Sequence, residues 1–128
     1  MAHGRVALVT GSSRGLGAEI ARRLARDGFA VAVNGRPGDD GVAAVARTIR
    51  GDGGSAEGFG ADVTAEDQVN GLVTAIASTF GPIDVLVLNA TGPQPEAPVT
   101  EVDWADHAAQ LDFFVKRIVV DGGRSLGP

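Results

Sequence analysis

The chain has 128 residues, enough for one domain with a buried core. Its 44% hydrophobic and 21% charged residues are typical of a globular protein, and its net charge of −5 argues against a nucleic-acid partner. The lack of cysteine excludes disulfides and thiolate zinc sites, and neither His3 nor His107 has companion ligands, so no metal is expected. No apolar run is long enough for a membrane span and no signal-peptide pattern opens the chain, so we expect a cytoplasmic protein.

Short apolar segments alternate with amphipathic segments along the chain. In order, the pattern predicts a strand at 5–10, a helix at 15–27, a strand at 29–33, a helix around 42–49, a strand at 56–61, a helix from 64 to a break at 81, a strand at 83–88 and a helix that begins near 100. Strands that alternate with helices of this length form right-handed crossovers. They predict a parallel sheet that is covered by helices on both faces.

The apolar positions also predict which side of each helix is buried. In the first helix these positions are Leu16, Ile20 and Leu24. In the last helix they are Trp104, Ala108, Leu111 and Val115. Thr64, followed three residues later by Asp67, resembles a capping box and predicts the start of the third helix.

The first strand leads into the segment TGSSRGLG, residues 10–17, and then into the first helix. Glycines at 11, 15 and 17 allow a sharp turn or the close approach of a ligand to the backbone. The free N–H groups at the start of the helix favour a pyrophosphate. A tight turn without a ligand is the alternative, but the position between strand and helix favours dinucleotide binding. A P-loop is excluded, because no Gly-Lys-Ser/Thr follows.

Four segments in register resemble the short-chain dehydrogenase/reductase family, and within it the 3-oxoacyl-[acyl-carrier-protein] reductases. The spacing TGxxxGxG is the first, and Asp62-Val63, which would meet the adenine ring, is the second. The third is LVLNATG at 86–92, which is similar to the family's Asn-Asn-Ala-Gly. Asn89-Ala90 is retained, but Leu88 replaces the first Asn and Thr91 replaces the Gly, with Gly92 one place late. The fourth is VVDGG at 119–123, which is similar to the family's last strand.

This resemblance implies an α/β fold with a Rossmann-type doubly wound parallel sheet in three αβα layers, truncated relative to the family. Residues 1–128 would form a single NAD(P)-binding domain, with 1–116 as its N-terminal half and 117–128 as the last strand and tail. The family forms homo-oligomers, so a dimer or tetramer is expected. The implied cofactor-binding residues are Gly11, Ser12, Ser13, Arg14, Gly15, Leu16, Gly17, Asn34, Gly35, Arg36, Asp62, Val63, Asn89, Ala90, Thr91 and Gly92.

The residues at the tip of the second strand indicate which nicotinamide cofactor is bound. NAD sites place an acid there for the ribose 2′-hydroxyl, whereas an arginine suits the 2′-phosphate. The tip is Asn34-Gly35-Arg36, and Arg14 lies in the glycine-rich turn, where the resemblance implies a second contact to that phosphate. The sequence therefore favours NADP(H) over NAD(H).

The family's catalytic residues have no counterpart in this chain. Carbonyl reduction in the family uses Ser, Tyr and Lys in a Tyr-x-x-x-Lys pattern with a supporting Asn. The sequence has no tyrosine, and its one lysine is Lys116. The run QLDFFVK puts Phe114 at the Asn position, and a phenyl ring cannot replace the hydrogen bonds of an amide. The 128 residues alone are therefore predicted to be inactive.

The junction after Lys116 passes from helix to a β-branched run with no turn residue. Either a middle segment is absent because the 128 residues are the ordered part of a longer chain, which we favour, or the segment has been deleted. The complete protein would then be an NADP(H)-dependent oxidoreductase for a small-molecule carbonyl, such as a 3-oxoacyl thioester. The alternative is a non-catalytic module that binds a dinucleotide. Neither nucleic acid nor membrane is an expected partner.

Overall fold

The computed structural model describes residues 4–89 and 108–118. The elements follow the predicted alternation. They are β1 (Val6–Val9), α1 (Gly15–Arg26), β2 (Ala30–Gly35), α2 (Asp40–Gly51), β3 (Ser55–Gly60), α3 (Glu66–Thr79) and β4 (Val85–Val87). A further helical stretch, α4, covers 108–118. None of the helices in these two ranges is long and apolar enough to cross a membrane.

The four strands form one parallel sheet in the order β3-β2-β1-β4. The chain adds β2 and β3 on one side of β1 and then crosses to β4 on the other side. The carboxyl ends of β1 and β4 therefore flank the point at which the strand order reverses, where open α/β sheets bind their ligands. This topology confirms the predicted α/β fold and its parallel sheet.

The sheet is buried on both faces, as the continuous apolar strands predict. On one face, Val31 and Val33 of β2 pack with α1 and α2. On the other face, Ala30 and Ala32 pack with α3 and with Phe114 of α4. The result is a three-layer αβα arrangement, in which the alternate residues of a single strand belong to two separate cores.

The buried side of α1 differs from the predicted one. Leu16 is 69% exposed, and Ile20 and Leu24 are only partly buried. The contact with the sheet is made instead by the small residues Gly17, Ala18, Ala21 and Ala25. Small side chains let the helix axis lie close to the sheet, whereas the branched side chains flank the contact. The helical period was predicted correctly, but the buried face was wrong.

The same error applies to α4. Leu111 and Val115 are 47% and 45% exposed, whereas Gln110 and Phe114, one turn apart, are buried. Trp104 lies outside the described residues. The helix continues through 117 and 118, which we had assigned to the tail, because no residue in this stretch breaks it. The predicted last strand at 119–123 also lies outside the described residues.

Two further predictions need correction. The residue before α3 is Ala65, which makes no side-chain cap, and the hydroxyl of Thr64 donates to Asp62 instead. The predicted capping box is therefore wrong. The strand predicted at 83–88 is shorter than expected, since β4 covers only Val85–Val87 and is half-buried.

Candidate functional site

A cavity of about 310 Å³ opens at the carboxyl edge of the sheet, at the reversal of the strand order. It is lined by the glycine-rich turn, by the segments that follow β2, β3 and β4, and by α4. The lining residues are Gly11, Ser13, Arg14, Asn34, Gly35, Arg36, Asp39, Ala61, Asp62, Val63, Thr64, Asn89 and Gln110.

Asn34 forms hydrogen bonds that hold the glycine-rich turn in place. Its side chain is 1% exposed, and its Oδ1 accepts the N–H of Gly11 at 3.2 Å. Its Nδ2 faces the carbonyls of Gly35, Phe59 and Ala61 at 3.2–3.3 Å. Asn34 thus ties the turn after β1 to β2 and β3. We predicted a ligand contact at this position, and the geometry adds a positioning role that the sequence did not indicate.

Ser12 and Asn89 complete this support. The buried hydroxyl of Ser12 donates to the Val9 carbonyl at 2.7 Å and accepts the N–H of Asn34 at 2.9 Å. The Nδ2 of Asn89 donates to the Gly11 carbonyl at 3.0 Å. The Ser12 hydroxyl points into the fold rather than into the cavity. Of the two serines among the implied cofactor-binding residues, only Ser13 lines the cavity.

The glycines at 15 and 17 serve different purposes. Gly15 has φ 59°, and a β-carbon there would meet nothing within 4 Å. At Gly17 a β-carbon would overlap the Gly11 carbonyl oxygen, and it would lie 2.6 Å from the Asn89 Nδ2. Gly17 therefore allows α1 to pack against the turn, whereas Gly15 supplies a left-handed backbone beside open space.

We expect Gly17→Ala to lower the free energy of unfolding by about 3 kcal/mol, the upper end of the range for overpacking, because the contact is with backbone. Gly15→Ala should cost only about 1 kcal/mol, from its left-handed φ. Urea denaturation followed by circular dichroism measures both. Without the overlap, alanine inside a helix would stabilise the protein, so a stabilised Gly17→Ala variant would contradict this packing.

Arg14 and Arg36 supply positive charge at the end of the cavity near β2. Between them, Asp39 caps α2 by accepting the N–H of Gly41 at 2.9 Å. A hydrogen bond from the Ser13 hydroxyl, the bond from Gly41 and the charge of Arg14 hold the pKa of Asp39 below its ordinary value of 3.8. The carboxylate is thus ionised at neutral pH and already engaged by donors of the protein.

Asp62 follows β3 and also lines the cavity. Its carboxylate accepts the hydroxyl of Thr64 at 2.6 Å and the N–H of the same residue at 2.9 Å. These two bonds, with a smaller contribution from the charge of Arg36, lower the pKa of Asp62. The neighbouring Ala61 and Val63 are buried and give this side of the cavity an apolar surface.

Four lining residues are absent from the predicted set: Asp39, Ala61, Thr64 and Gln110. Gln110 is the one farthest along the chain. It lies on α4 and is 3% exposed, and its Oε1 has no hydrogen-bond partner among the described residues. The signal that could have found it is its spacing of four residues from Phe114, which places both on one face of a helix. The apolar positions predict Leu111 and Val115 on the buried face instead.

The remaining predicted residues are distributed as follows. Gly15, Leu16 and Gly17 belong to the turn and to the start of α1 but do not line the cavity. Ala90, Thr91 and Gly92 lie outside the described residues. Phe114, at the position of the family's Asn, is fully buried in the core. No cluster of three or more possible metal ligands occurs within 4–89 and 108–118.

A glycine-rich turn between β1 and α1, placed at the reversal of a parallel strand order, defines a dinucleotide-binding fold of the Rossmann type. The family model described as short chain dehydrogenase matches residues 5–114. The chain therefore belongs to the short-chain dehydrogenase/reductase family of oxidoreductases. This confirms the resemblance to the family; the first three of the four segments lie within the matched residues, and the fourth, at 119–123, lies beyond them.

Individual relatives agree with this assignment. An uncharacterized oxidoreductase of Methylorubrum extorquens is 46% identical over 117 residues, which are 91% of this chain and 47% of the relative. A 3-oxoacyl-[acyl-carrier-protein] reductase of Staphylococcus epidermidis is 43% identical over 84 residues, 66% of this chain and 34% of the relative. The chain thus spans about half the length, or less, of these relatives.

A solved structure has the same fold. A variant of actinorhodin polyketide ketoreductase with NADPH matches with a TM-score of 0.78 and 35% identity, over 96% of this chain and 50% of the ketoreductase chain.

Proposed function

We propose that the cavity binds NADP(H), and that the complete protein uses it to interconvert a carbonyl and an alcohol on a small molecule, with a 3-oxoacyl thioester as the favoured substrate. The observation that carries this proposal is the pair Arg14 and Arg36 at the cavity, with glycine rather than an acid at position 35. Two guanidinium groups suit the 2′-phosphate that distinguishes NADP(H) from NAD(H).

The space at Gly35 supports the choice of cofactor. A β-carbon there would lie 2.5 Å from Val42, 2.9 Å from the Asp39 carboxylate and 3.3 Å from Ser13. An acid at this position, which would bond a ribose 2′-hydroxyl, would therefore require Val42 and Asp39 to move. Asp39 itself is engaged by Gly41 and Ser13, which leaves the arginines as the groups free for a ligand at this end.

The rest of the cavity fits the other parts of the dinucleotide. The Gly11–Gly17 turn presents the start of α1 to the pyrophosphate. Ala61 and Val63 offer an apolar wall for a planar base, which agrees with the family's use of an Asp-Val pair beside adenine. When bound, the cofactor supplies or accepts a hydride, and the residues described above hold and orient its adenosine half.

Titration of the 128-residue chain with NADPH and NADH tests the proposal, and NADPH should bind more tightly. Arg36→Gln should weaken NADPH binding by about 1–3 kcal/mol, the scale of a lost hydrogen bond to a charged group, and should leave NADH binding nearly unchanged. Arg47→Gln on the exposed side of α2 removes the same charge away from the cavity and should change neither affinity. Equal affinities for the two cofactors in the unmutated chain would contradict the assignment.

A non-catalytic dinucleotide-binding module is the second candidate. Two observations favour it: the chain has no tyrosine, and Phe114 is buried in the core at the position where the family has its Asn. The intact mass of the protein purified from its source separates the two. A mass of 13.0 kDa favours the module, and about twice that mass favours the enzyme.

A further inference from the structure

Gln110 lines the cavity and has a buried amide oxygen without a hydrogen-bond partner among the described residues. Only 3% of the surface of Gln110 is exposed, and its Oε1 is inaccessible to solvent. An amide left without hydrogen bonds in the interior costs free energy, and native structures rarely retain one without a reason. A ligand that supplies the missing bond would provide that reason.

The packing of α4 places Gln110 beside the end of β3. Phe114, one turn further along the same face, shares a core cluster with Ala61 and Val63. At the far end of the helix, Arg117 donates to the Thr74 hydroxyl of α3 at 2.9 Å. The buried face of α4 is thus directed toward the end of β3 and toward α3.

The chemistry of Gln110 suits a base rather than a phosphate. The amide is neutral and has an acceptor beside a donor, and this pair matches the edge of an adenine ring. Arg14 and Arg36 supply the positive charge that a phosphate requires, and Ala61 and Val63 supply the apolar wall that a ring requires. A rotation about the last side-chain torsion, which is soft, would exchange the positions of the amide oxygen and nitrogen.

We propose that Gln110 binds the adenine base of the dinucleotide through its side-chain amide and so recognises the base. The proposal rests on the function proposed above. It adds a polar contact from α4 to a site whose other contacts come from the ends of the strands.

The test compares Gln110→Met, which keeps the length of the side chain but not its polarity, with the unmutated 128-residue chain. The probes are NADP⁺ and etheno-NADP⁺, in which a bridge blocks the amino group and the adjacent ring nitrogen of adenine. The unmutated chain should prefer NADP⁺, and Gln110→Met should weaken NADP⁺ binding about tenfold, the scale of one or two hydrogen bonds, with little change for etheno-NADP⁺. Leu111→Met, at an exposed neighbour on α4, should change neither affinity.

Thermal unfolding without ligand supplies an independent readout. Gln110→Met removes a buried amide oxygen that has no partner among the described residues, so the melting temperature should stay the same or rise. A lower melting temperature would mean that the amide is structural, and this would overturn the proposal. Equal weakening of both probes, or no weakening, would overturn it as well while leaving NADP(H) binding intact. If the unmutated chain binds neither probe, the proposed function fails and the inference fails with it.

Discussion

Asn34→Asp is expected to lower the free energy of unfolding at neutral pH by about 3–5 kcal/mol, the range for an uncompensated buried charge. One carboxylate oxygen could still accept the N–H of Gly11. The other would replace the Nδ2 that faces the carbonyls of Gly35, Phe59 and Ala61, so that four oxygens would meet without a hydrogen between them. Because the total stability of a domain is about 5–15 kcal/mol, such a loss would unfold a measurable fraction of the protein.

Urea denaturation at several pH values measures this effect. The new carboxyl is ionised in the unfolded chain above about pH 4, whereas the folded protein favours its protonated form. The destabilisation should therefore grow as the pH rises above 4 and shrink as the pH falls below it. Asn70→Asp, the same change on the exposed side of α3, should stay within about 0.5 kcal/mol of the unmutated protein. Equal stability of the two variants would contradict the orientation of the Asn34 amide.

The structural role of Asn34 could not be predicted from the sequence. A polar residue at the end of a strand beside a glycine-rich turn was predicted to contact the ligand. The strand period does not say whether such a side chain faces the cavity or the backbone of neighbouring segments. Here the Nδ2 of Asn34 donates to the carbonyls of Gly35, Phe59 and Ala61. Asn89 has a similar role, since it holds the Gly11 carbonyl.

The order of strands and helices could be predicted because it depends on local patterns. Apolar runs of strand length, helical periods and glycines at the breaks all lie within a few residues of one another. The buried faces of α1 and α4 could not be predicted in the same way. Which side of a helix is buried depends on how closely it approaches the sheet, and α1 places alanines there while α4 places Gln110 and Phe114 there.

The two arginines were predictable for a different reason. Arg14 lies within the turn and Arg36 follows the second strand, and the carboxyl ends of neighbouring parallel strands meet at one edge of a sheet. Their joint position at the cavity follows from the topology alone. Asp39 was not predicted to line the cavity, because it lies several residues beyond the end of β2. It reaches the cavity as the residue that caps the start of α2.

A polypeptide of these 128 residues alone is expected to show no measurable hydride transfer from NADPH to a carbonyl, even where it binds the cofactor. A general acid contributes roughly 10²–10⁴-fold in rate, and each hydrogen-bond donor to a developing oxyanion contributes about 10²–10³-fold. The chain has no tyrosine for the first role. Phe114 is fully buried where the family has its Asn, and its ring cannot donate a hydrogen bond.

The single lysine does not compensate for this loss. Lys116 is exposed on α4, where its Nζ lies 3.3 Å from the carboxylate of Asp112, and it does not line the cavity. An NADPH oxidation assay with 3-oxoacyl thioesters and simple ketones, on material of verified mass that has first been shown to bind NADPH, tests the prediction. Turnover by the verified 128-residue chain would contradict it. Turnover by a longer chain that contains these residues, with none from the 128 residues alone, would place the acid and the oxyanion donors in a segment that this sequence does not contain.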